Sequence, residues 1–257
     1  MALAELEKKI KELGLKSGDK ILVTSDLLNF FIQTKKIKKQ ISLNEIINIL
    51  FKIIGKNGTI LFPTFNWDFC KSKKFDNKKS RSMTGSLSSA ALNRKEFRRS
   101  KNPIYSFAVA GKDRDYICQL KHKKCFGLDS PFGYLIKNNA KNLCIGIDYK
   151  DGFTFVHVVE ELIGVNYRYQ KKYSGISIVN KKKKLEVVSM YVRDMSLNLV
   201  TVINKKLDRI LVRRKLLTKN KFHKIQMTMI NINKTFKILL NDLKNKGTLI
   251  KTKNQPH

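Results

Sequence analysis

The amino-acid sequence predicts an α/β fold in which helices cover a mostly parallel sheet. Its N-terminal part alternates helix, strand, helix and strand, which is typical of parallel sheets with helical connections. The candidate strands are short and almost continuously apolar, as expected of strands that are buried on both faces. The chain has 257 residues, of which 42% are hydrophobic, and we predict one domain over residues 1–257.

The N-terminal elements follow from periodicity and capping residues. Residues 3–14 carry apolar side chains at helical spacing, and residues 21–23 predict a buried strand. Ser42 and Glu45 have the spacing of a capping box, so a second helix is expected to begin there and to end at the next glycine. The run GTILFPTF, residues 58–65, predicts a second buried strand.

The middle of the chain is less regular. Residues 66–105 are polar, with a short helix expected near residues 86–93, and SFAVAG and NLCIGI predict two further buried strands. A helix is expected from Thr154 to about Ile163, with Gly164 as its C-cap, although its valines also fit a strand.

The C-terminal part predicts a hairpin followed by helices. Residues 174–194 have the pattern of two strands, and the lysine run between them is expected to form a solvated turn. Two or three helices are expected between about residues 200 and 250, and the last seven residues are expected to fray.

The charge of the chain is strongly positive: 53 Lys and Arg residues against 20 Asp and Glu residues give a formal net charge of +33. Heavy use of Lys, Asn and Ile fits the composition bias of an AT-rich genome. The functional alternative is attraction to anions such as nucleic acid, anionic membranes or phosphorylated small molecules. Because no nucleic-acid-binding motif is present, we predict no specific nucleic-acid partner.

Cysteine usage and hydropathy bear on the compartment. The four cysteines show no CxxC spacing, and no apolar run reaches the ~18 residues of a membrane span. The N-terminal segment is amphipathic and charged rather than a signal peptide. We therefore expect a cytoplasmic protein with free thiols.

The stretch FTFVHVVEELIGVNYR contains the most specific chemical pattern. On a helix, His157 lies beside Glu160 and Glu161, with Thr154 one turn earlier. A carboxylate next to an imidazole fixes the tautomer of the ring and raises its basicity, which suits a general base. The alternative is a hydrogen-bonded histidine in the core.

Other chemistries find less support in the sequence. A zinc site of the H-x-x-E-H type would require histidine where Glu161 stands, and the remaining histidines form no ligand pattern, so we predict no metal. There is no nucleophile elbow, P-loop or dinucleotide fingerprint. A cysteine nucleophile remains open. Acyl transfer to an amine requires only a base, donors for the oxyanion and a cleft that aligns the substrates.

Five blocks, in the same order, resemble motifs of the aminoglycoside 3-N-acetyltransferase family. Their order along the chain makes the resemblance specific, although each block is weak alone. Thr24 and Asn102 stand where the family has histidine, and Asp26 stands where it has serine. The blocks are VTSDL (23–27), GTILFPTF (58–65), RRSKNPIYSFAVAG (98–111), FGLDSPFGYL (126–135) and IGIDYKDGFTFVHVVEE (145–161).

This resemblance implies a three-layer α/β/α sandwich, distinct from the GNAT fold, with a mostly parallel or mixed sheet and a small C-terminal hairpin and helical part. It implies an acetyl-CoA-dependent N-acyltransferase that forms a ternary complex without an acyl-enzyme. His157 maps to the catalytic base of the family, and Glu160 maps to the residue that orients it. Residues 174–257 match less well and are expected to belong to the same domain.

Binding residues are assigned from the matching blocks and, for Arg168 and Lys171, from their charge. Strand-end capping or solvated charge is the alternative for each. The acyl-CoA-binding candidates are Thr24, Ser25, Leu27, Thr64 and Ser106. The acceptor-binding candidates are Asn66, Thr154, Arg168 and Lys171.

The identity of the acceptor is inferred from charge. Aminoglycosides are polycations and need acidic pockets, whereas this chain is strongly basic. The segments FPTFN and VNYRYQKKY resemble a branch of the family found among surface-polysaccharide enzymes. We therefore expect a nucleotide-linked amino sugar as the acceptor. Arg168 and Lys171 are candidates to bind its diphosphate.

Two alternatives to this function remain. The protein could acetylate an aminoglycoside and so confer antibiotic resistance, or it could be a non-catalytic nucleic-acid-binding or scaffold protein. A homo-oligomer is possible.

Overall fold

The structure is a computed structural model that describes residues 2–36, 41–245 and 247–254. Its helices are α1 (Ala2–Glu12), α2 (Leu28–Lys36), α3 (Leu43–Ile54), α4 (Ser86–Leu92), α5 (Arg114–Gln119), α6 (Pro131–Lys137), α7 (Tyr149–Gly152), α8 (Val156–Ile163), α9 (Lys206–Arg213) and α10 (Ile232–Lys244). Its strands are β1 (Lys20–Ser25), β2 (Thr59–Pro63), β3 (Phe75–Asp76), β4 (Arg98–Arg99), β5 (Phe107–Gly111), β6 (Lys141–Ile145), β7 (Arg168–Val179), β8 (Lys182–Arg193), β9 (Leu199–Ile203), β10 (Leu217–Phe222), β11 (Ile225–Asn231) and β12 (Ile250–Asn254).

A seven-stranded mixed sheet forms the centre, in the order β10-β11-β6-β1-β2-β5-β4. The inner strands β6, β1 and β2 are parallel, and the strands that flank them pair antiparallel. Separate sheets are formed by β3, β7 and β8 and by β9 and β12. The predicted α/β class and mixed sheet are therefore confirmed.

Helices cover both faces of the main sheet because its strands alternate their side chains between two cores. In β1, Ile21 and Val23 pack into a core shared with α1, α3 and α4. Leu22, between them, packs into a second core together with residues of α6, α8 and α10. Both cores bury nearly continuous apolar segments, which explains why the strands lack a polar face.

The capping box that starts α3 forms as predicted. The Ser42 hydroxyl accepts a hydrogen bond from the Glu45 backbone N–H at 3.2 Å, and the Glu45 carboxylate accepts one from the Ser42 N–H at 2.7 Å. Gly55 ends the helix with a φ of 63°. Each of these groups satisfies a backbone position that would otherwise lack a partner.

The helix that carries His157 begins two residues later than predicted. Thr154 precedes it, and α8 runs from Val156 to Ile163, with Gly164 in the left-handed conformation as its C-cap. His157 therefore lies in the first turn of the helix.

The C-terminal part departs most from prediction. The hairpin is longer than expected: β7 begins at Arg168, the turn lies at Asn180 and Lys181, and most of the lysine run belongs to β8. Residues 200–250 contain two helices, as predicted, but also β10 and β11, and β11 joins the main sheet beside β6. Residues 251–254 pair with β9 instead of fraying, and residues 255–257 lie outside the described residues. No described helix is long and apolar enough to cross a membrane.

Candidate active site

A cleft of about 770 Å³ lies at the carboxyl ends of the parallel strands, the usual place for ligands in open α/β sheets. Segments that follow β1, β2 and β6 supply its walls. The chain after β6 approaches the backbone of Asp26 so closely that a Cβ at Gly146 would lie 2.1 Å from the Asp26 carbonyl oxygen. Glycine at this position therefore lets the loops after β1 and β6 meet beside the cleft.

His157 lies where this cleft meets a second pocket of about 290 Å³. Thr154 and Asp151 also line both spaces. A base at this position can reach one ligand from each side.

Glu160 orients the imidazole of His157. Its Oε2 atom lies 2.7 Å from Nδ1 of His157, and the carboxylate is fully buried, whereas 26% of the His157 side chain is exposed. Because an ionised carboxylate only accepts hydrogen bonds, Nδ1 carries the proton and Nε2 is left as the free base. The Phe126 ring, 5.3 Å from the imidazole between centroids, packs against it.

Two further groups hold the Glu160 carboxylate. Tyr167 donates its hydroxyl to Oε1 at 3.2 Å, and burial, followed by the charge of Glu160, raises the pKa of this phenol, so it remains a donor. Arg168 Nε lies 2.8 Å from Oε2 in an ion pair, although its N–H does not point along a hydrogen bond. Tyr167 was not predicted from the sequence, because its contact depends on the chain reversing after α8.

Glu161 has a different role from Glu160. Its Oε1 atom accepts a hydrogen bond from Gln170 Nε2 at 2.7 Å and lies 3.3 Å from Lys124 Nζ. The geometry therefore pairs His157 with Glu160, as the family resemblance implied.

Four of the predicted binding residues line the large cleft: Thr24, Ser25, Leu27 and Thr154. The Thr24 hydroxyl is 3.2 Å from Cys144 Sγ, which holds this side chain at the base of the cleft. Sequence reasoning missed the apolar wall, since its members come from separate segments. These are Phe31, Phe65, Trp67, Met83 and Tyr105.

Thr64, Ser106 and Asn66, which were predicted to bind ligands, do not line either pocket. The Thr64 and Ser106 hydroxyl oxygens are fully buried and 3.0 Å apart, and Arg99 Nε donates to Ser106 at 2.8 Å. Asn66 donates to the Arg81 carbonyl at 3.0 Å and accepts from the Asp68 N–H at 3.0 Å. Their polar groups satisfy the backbone and one another.

The smaller pocket, called here the basic pocket, is lined by three cationic side chains: Lys150, Arg168 and Arg193. Arg168 was predicted as an acceptor-binding residue, whereas Lys150 and Arg193 were missed. Lys171, also predicted as an acceptor-binding residue, lies outside both pockets, with its ammonium 5.6 Å from the centroid of the Tyr173 ring. The remaining lining residues are Asp151, Phe153, Thr154, Val156, His157, Val200, Thr201 and Ile203.

The cysteines do not supply a nucleophile to this site. Burial raises the pKa of Cys144 to about 11 and that of Cys118 to about 12, so these thiols are protonated near neutral pH. Neither they nor Cys70 and Cys125 line the two pockets. Within the described residues, no group of three or more His, Cys, Asp or Glu side chains could hold a metal ion.

An oriented imidazole base, open to two pockets at the ends of parallel strands, fits acyl transfer between two substrates. The fold, the site and the sequence together define an N-acyltransferase. The chain belongs to the aminoglycoside 3-N-acetyltransferase family, whose sequence model matches residues 32–244. This match confirms the family resemblance and spans four of the five blocks, because VTSDL (23–27) precedes the matched residues.

Several solved structures share the fold. AAC-IIIb, solved as a binary complex with CoASH, has 16% identity and a TM-score of 0.76 and covers 96% of this chain and 97% of its own. AAC-VIa with bound sisomicin has 16% identity and a TM-score of 0.76, covering 96% and 98%. YokD from Bacillus subtilis has 18% identity and a TM-score of 0.73, covering 95% and 98%. No curated protein matches the sequence.

Proposed function

We propose that this protein transfers an acetyl group from acetyl-CoA to an amine of an amino sugar, with His157 as general base. The observation that carries the proposal is the His157–Glu160 pair, at 2.7 Å, placed where the two pockets meet. Acetyl-CoA as donor is supported by the family and by the CoASH complex of AAC-IIIb. Thr24, Ser25 and Leu27 line the larger cleft and are proposed to contact the acyl-CoA.

The proposed reaction needs no acyl-enzyme. His157 Nε2 removes a proton from the acceptor amine as its nitrogen forms a bond to the thioester carbonyl carbon. The carbon–sulfur bond then breaks, and the imidazolium returns the proton to the leaving CoA sulfur. Glu160 stabilises the imidazolium that exists between these steps, because its buried negative charge lies beside Nδ1.

For the acceptor, we place an aminoglycoside first, ahead of the nucleotide-linked amino sugar that the sequence predicts. The family match and the sisomicin complex of AAC-VIa support this order. In this chain, Asp26 and Asp151 line the larger cleft and offer carboxylates to ammonium groups.

A nucleotide-linked amino sugar remains the second candidate, supported by the basic pocket. Lys150, Arg168 and Arg193 line it beside His157, and cationic side chains favour a phosphorylated ligand over a polycation.

An acceptor screen tests the proposal. The protein is incubated with acetyl-CoA and either an aminoglycoside or a nucleotide-linked amino sugar, and thiol release and product mass are measured. Acetylation of aminoglycosides supports the first candidate, and acetylation of only the nucleotide-linked amine would replace it with the second. Absence of transfer to any amine, while the protein still binds CoA, would contradict the proposed function.

A further inference from the structure

The basic pocket places like charges opposite one another. Arg168 begins β7 and Arg193 ends β8, and these two residues are direct partners in the antiparallel ladder. Like charges at directly opposed positions destabilise a strand pair. An anion between them would remove this repulsion, so the arrangement indicates a ligand rather than a purely structural role.

The three cations of the pocket are not equally neutralised. Arg168 is paired with Glu160 at 2.8 Å, and Lys150 lies 2.9 Å from Asp148 and 3.4 Å from Asp208. Arg193 has no carboxylate within ion-pair distance among the described side chains, and its Nε contacts Met195 Sδ at 3.4 Å. The charge of Arg193 is therefore the one most available to a ligand.

A neutral donor adds to this arrangement. The hydroxyl oxygen of Thr201, which lines the pocket, is buried and has no hydrogen-bond partner. A buried hydroxyl without a partner is unfavourable, and an oxyanion could accept its proton.

We propose that the basic pocket is a subsite for a phosphate-type anionic group of one of the two substrates. This inference rests on the proposed function in one respect, which is that the two substrates are acetyl-CoA and an amino sugar. Two sources share this chemistry: a phosphate on the acceptor and a phosphate of CoA. The pocket shares His157 and Thr154 with the reaction cleft, and the long pantetheine arm separates the phosphates of CoA from its thioester. A phosphate this close to the base therefore suits the second acceptor candidate, a nucleotide-linked amino sugar, whereas with an aminoglycoside as acceptor only CoA could supply the phosphate.

The test uses inorganic pyrophosphate as the probe and calorimetry on the purified protein, residues 1–257. Arg193→Gln removes one charge-assisted hydrogen-bonding group and should weaken pyrophosphate binding about tenfold or more. Arg213→Gln, which removes the same charge from an exposed position on α9 outside the pocket, should leave binding unchanged. Thr201→Val should also weaken binding, which provides a second variant if Arg193→Gln does not fold.

Titration in the presence of saturating CoA separates the two sources. Binding that persists in the CoA complex assigns the subsite to the acceptor, and binding that CoA abolishes assigns it to CoA; both outcomes support a phosphate subsite. The proposal is overturned if pyrophosphate does not bind, or if Arg193→Gln and Arg213→Gln weaken binding equally. Because no turnover is required, failure of acetyl transfer would leave this result interpretable by itself.

Discussion

The two pockets that meet at His157 differ in the chemistry of their walls. The larger cleft has aromatic and aliphatic walls with two aspartates and no lysine or arginine among its lining residues. The basic pocket is smaller and is lined by two arginines, a lysine and one aspartate, Asp151, which it shares with the larger cleft. The imidazole of His157 therefore faces two environments that suit different substrates. The net charge of +33 matches the character of the basic pocket but not that of the larger cleft.

The difference also shows why average charge is a poor guide to a site. The lysines of β8 lie at the exposed N-terminal end of this strand, where solvent and salt screen them. The charges of the basic pocket converge beside a partly buried imidazole, where a ligand would experience them more strongly. Local placement, rather than the total, decides which substrate is attracted.

The largest expected effect comes from removing the group that the two pockets share. His157→Gln should lower kcat by ~10²–10⁴, the range for a lost general base, while CoA binding stays near normal. Steady-state kinetics and calorimetry with CoA measure the two quantities.

His223→Asn is the matched control, because His223 lies in the turn between β10 and β11, outside both pockets. Full turnover by His157→Gln with a competent amine would show that another group is the base.

The next effect separates the two glutamates. Glu160→Gln should lower kcat about 10- to 100-fold, because it removes a charge-assisted hydrogen bond to His157. Glu161→Gln should cost at most about fivefold, because the contacts of Glu161 are with Gln170 and Lys124 and not with His157. Matched kinetics of both variants make the comparison, and the reverse order would transfer the orienting role to Glu161.

A smaller effect is expected in the apolar wall of the larger cleft. Trp67→Ala should raise the KM of acetyl-CoA about tenfold, corresponding to roughly 1.4 kcal/mol of lost apolar contact, and should change the KM of the acceptor less. Leu185→Ala, which trims an exposed side chain on the hairpin, serves as the control. A rise in the KM of the acceptor alone would show that the larger cleft binds the acceptor rather than acetyl-CoA.

The smallest effect concerns salt. For a nucleotide-linked acceptor, kcat/KM should fall as ionic strength rises, because attraction to the basic pocket is screened over a Debye length of ~10 Å at 0.1 M. For an aminoglycoside, a flat or rising profile is expected. Both salt profiles are also measured with the Arg193→Gln variant. In this variant, only the salt dependence of kcat/KM for the anionic acceptor should become shallower. Identical salt dependences in the variant and the wild-type protein would show that the basic pocket does not attract the substrate.

Local patterns in the sequence were sufficient for part of the fold and for the centre of the site. The spacing of His157 and Glu160 places both on one helical face whatever surrounds them, and Ser42 with Glu45 specifies a helix start within a few residues. The strands β10 and β11 were missed, although Gln226 and Thr228 alternate with apolar residues, because the hairpin that they form lies between two helices, α9 and α10.

The sequence alone determined the α/β class, the family and the His157–Glu160 pair, since each depends on short-range periodicity or on ordered motifs. Only the tertiary structure decided that Thr64 and Ser106 are buried against Arg99 and that Arg193 faces Arg168 beside the base. The physical reason is that burial and charge convergence depend on contacts between segments distant along the chain. Residues of α7, the start of β7 and the end of β8 become neighbours only when the chain folds back after α8.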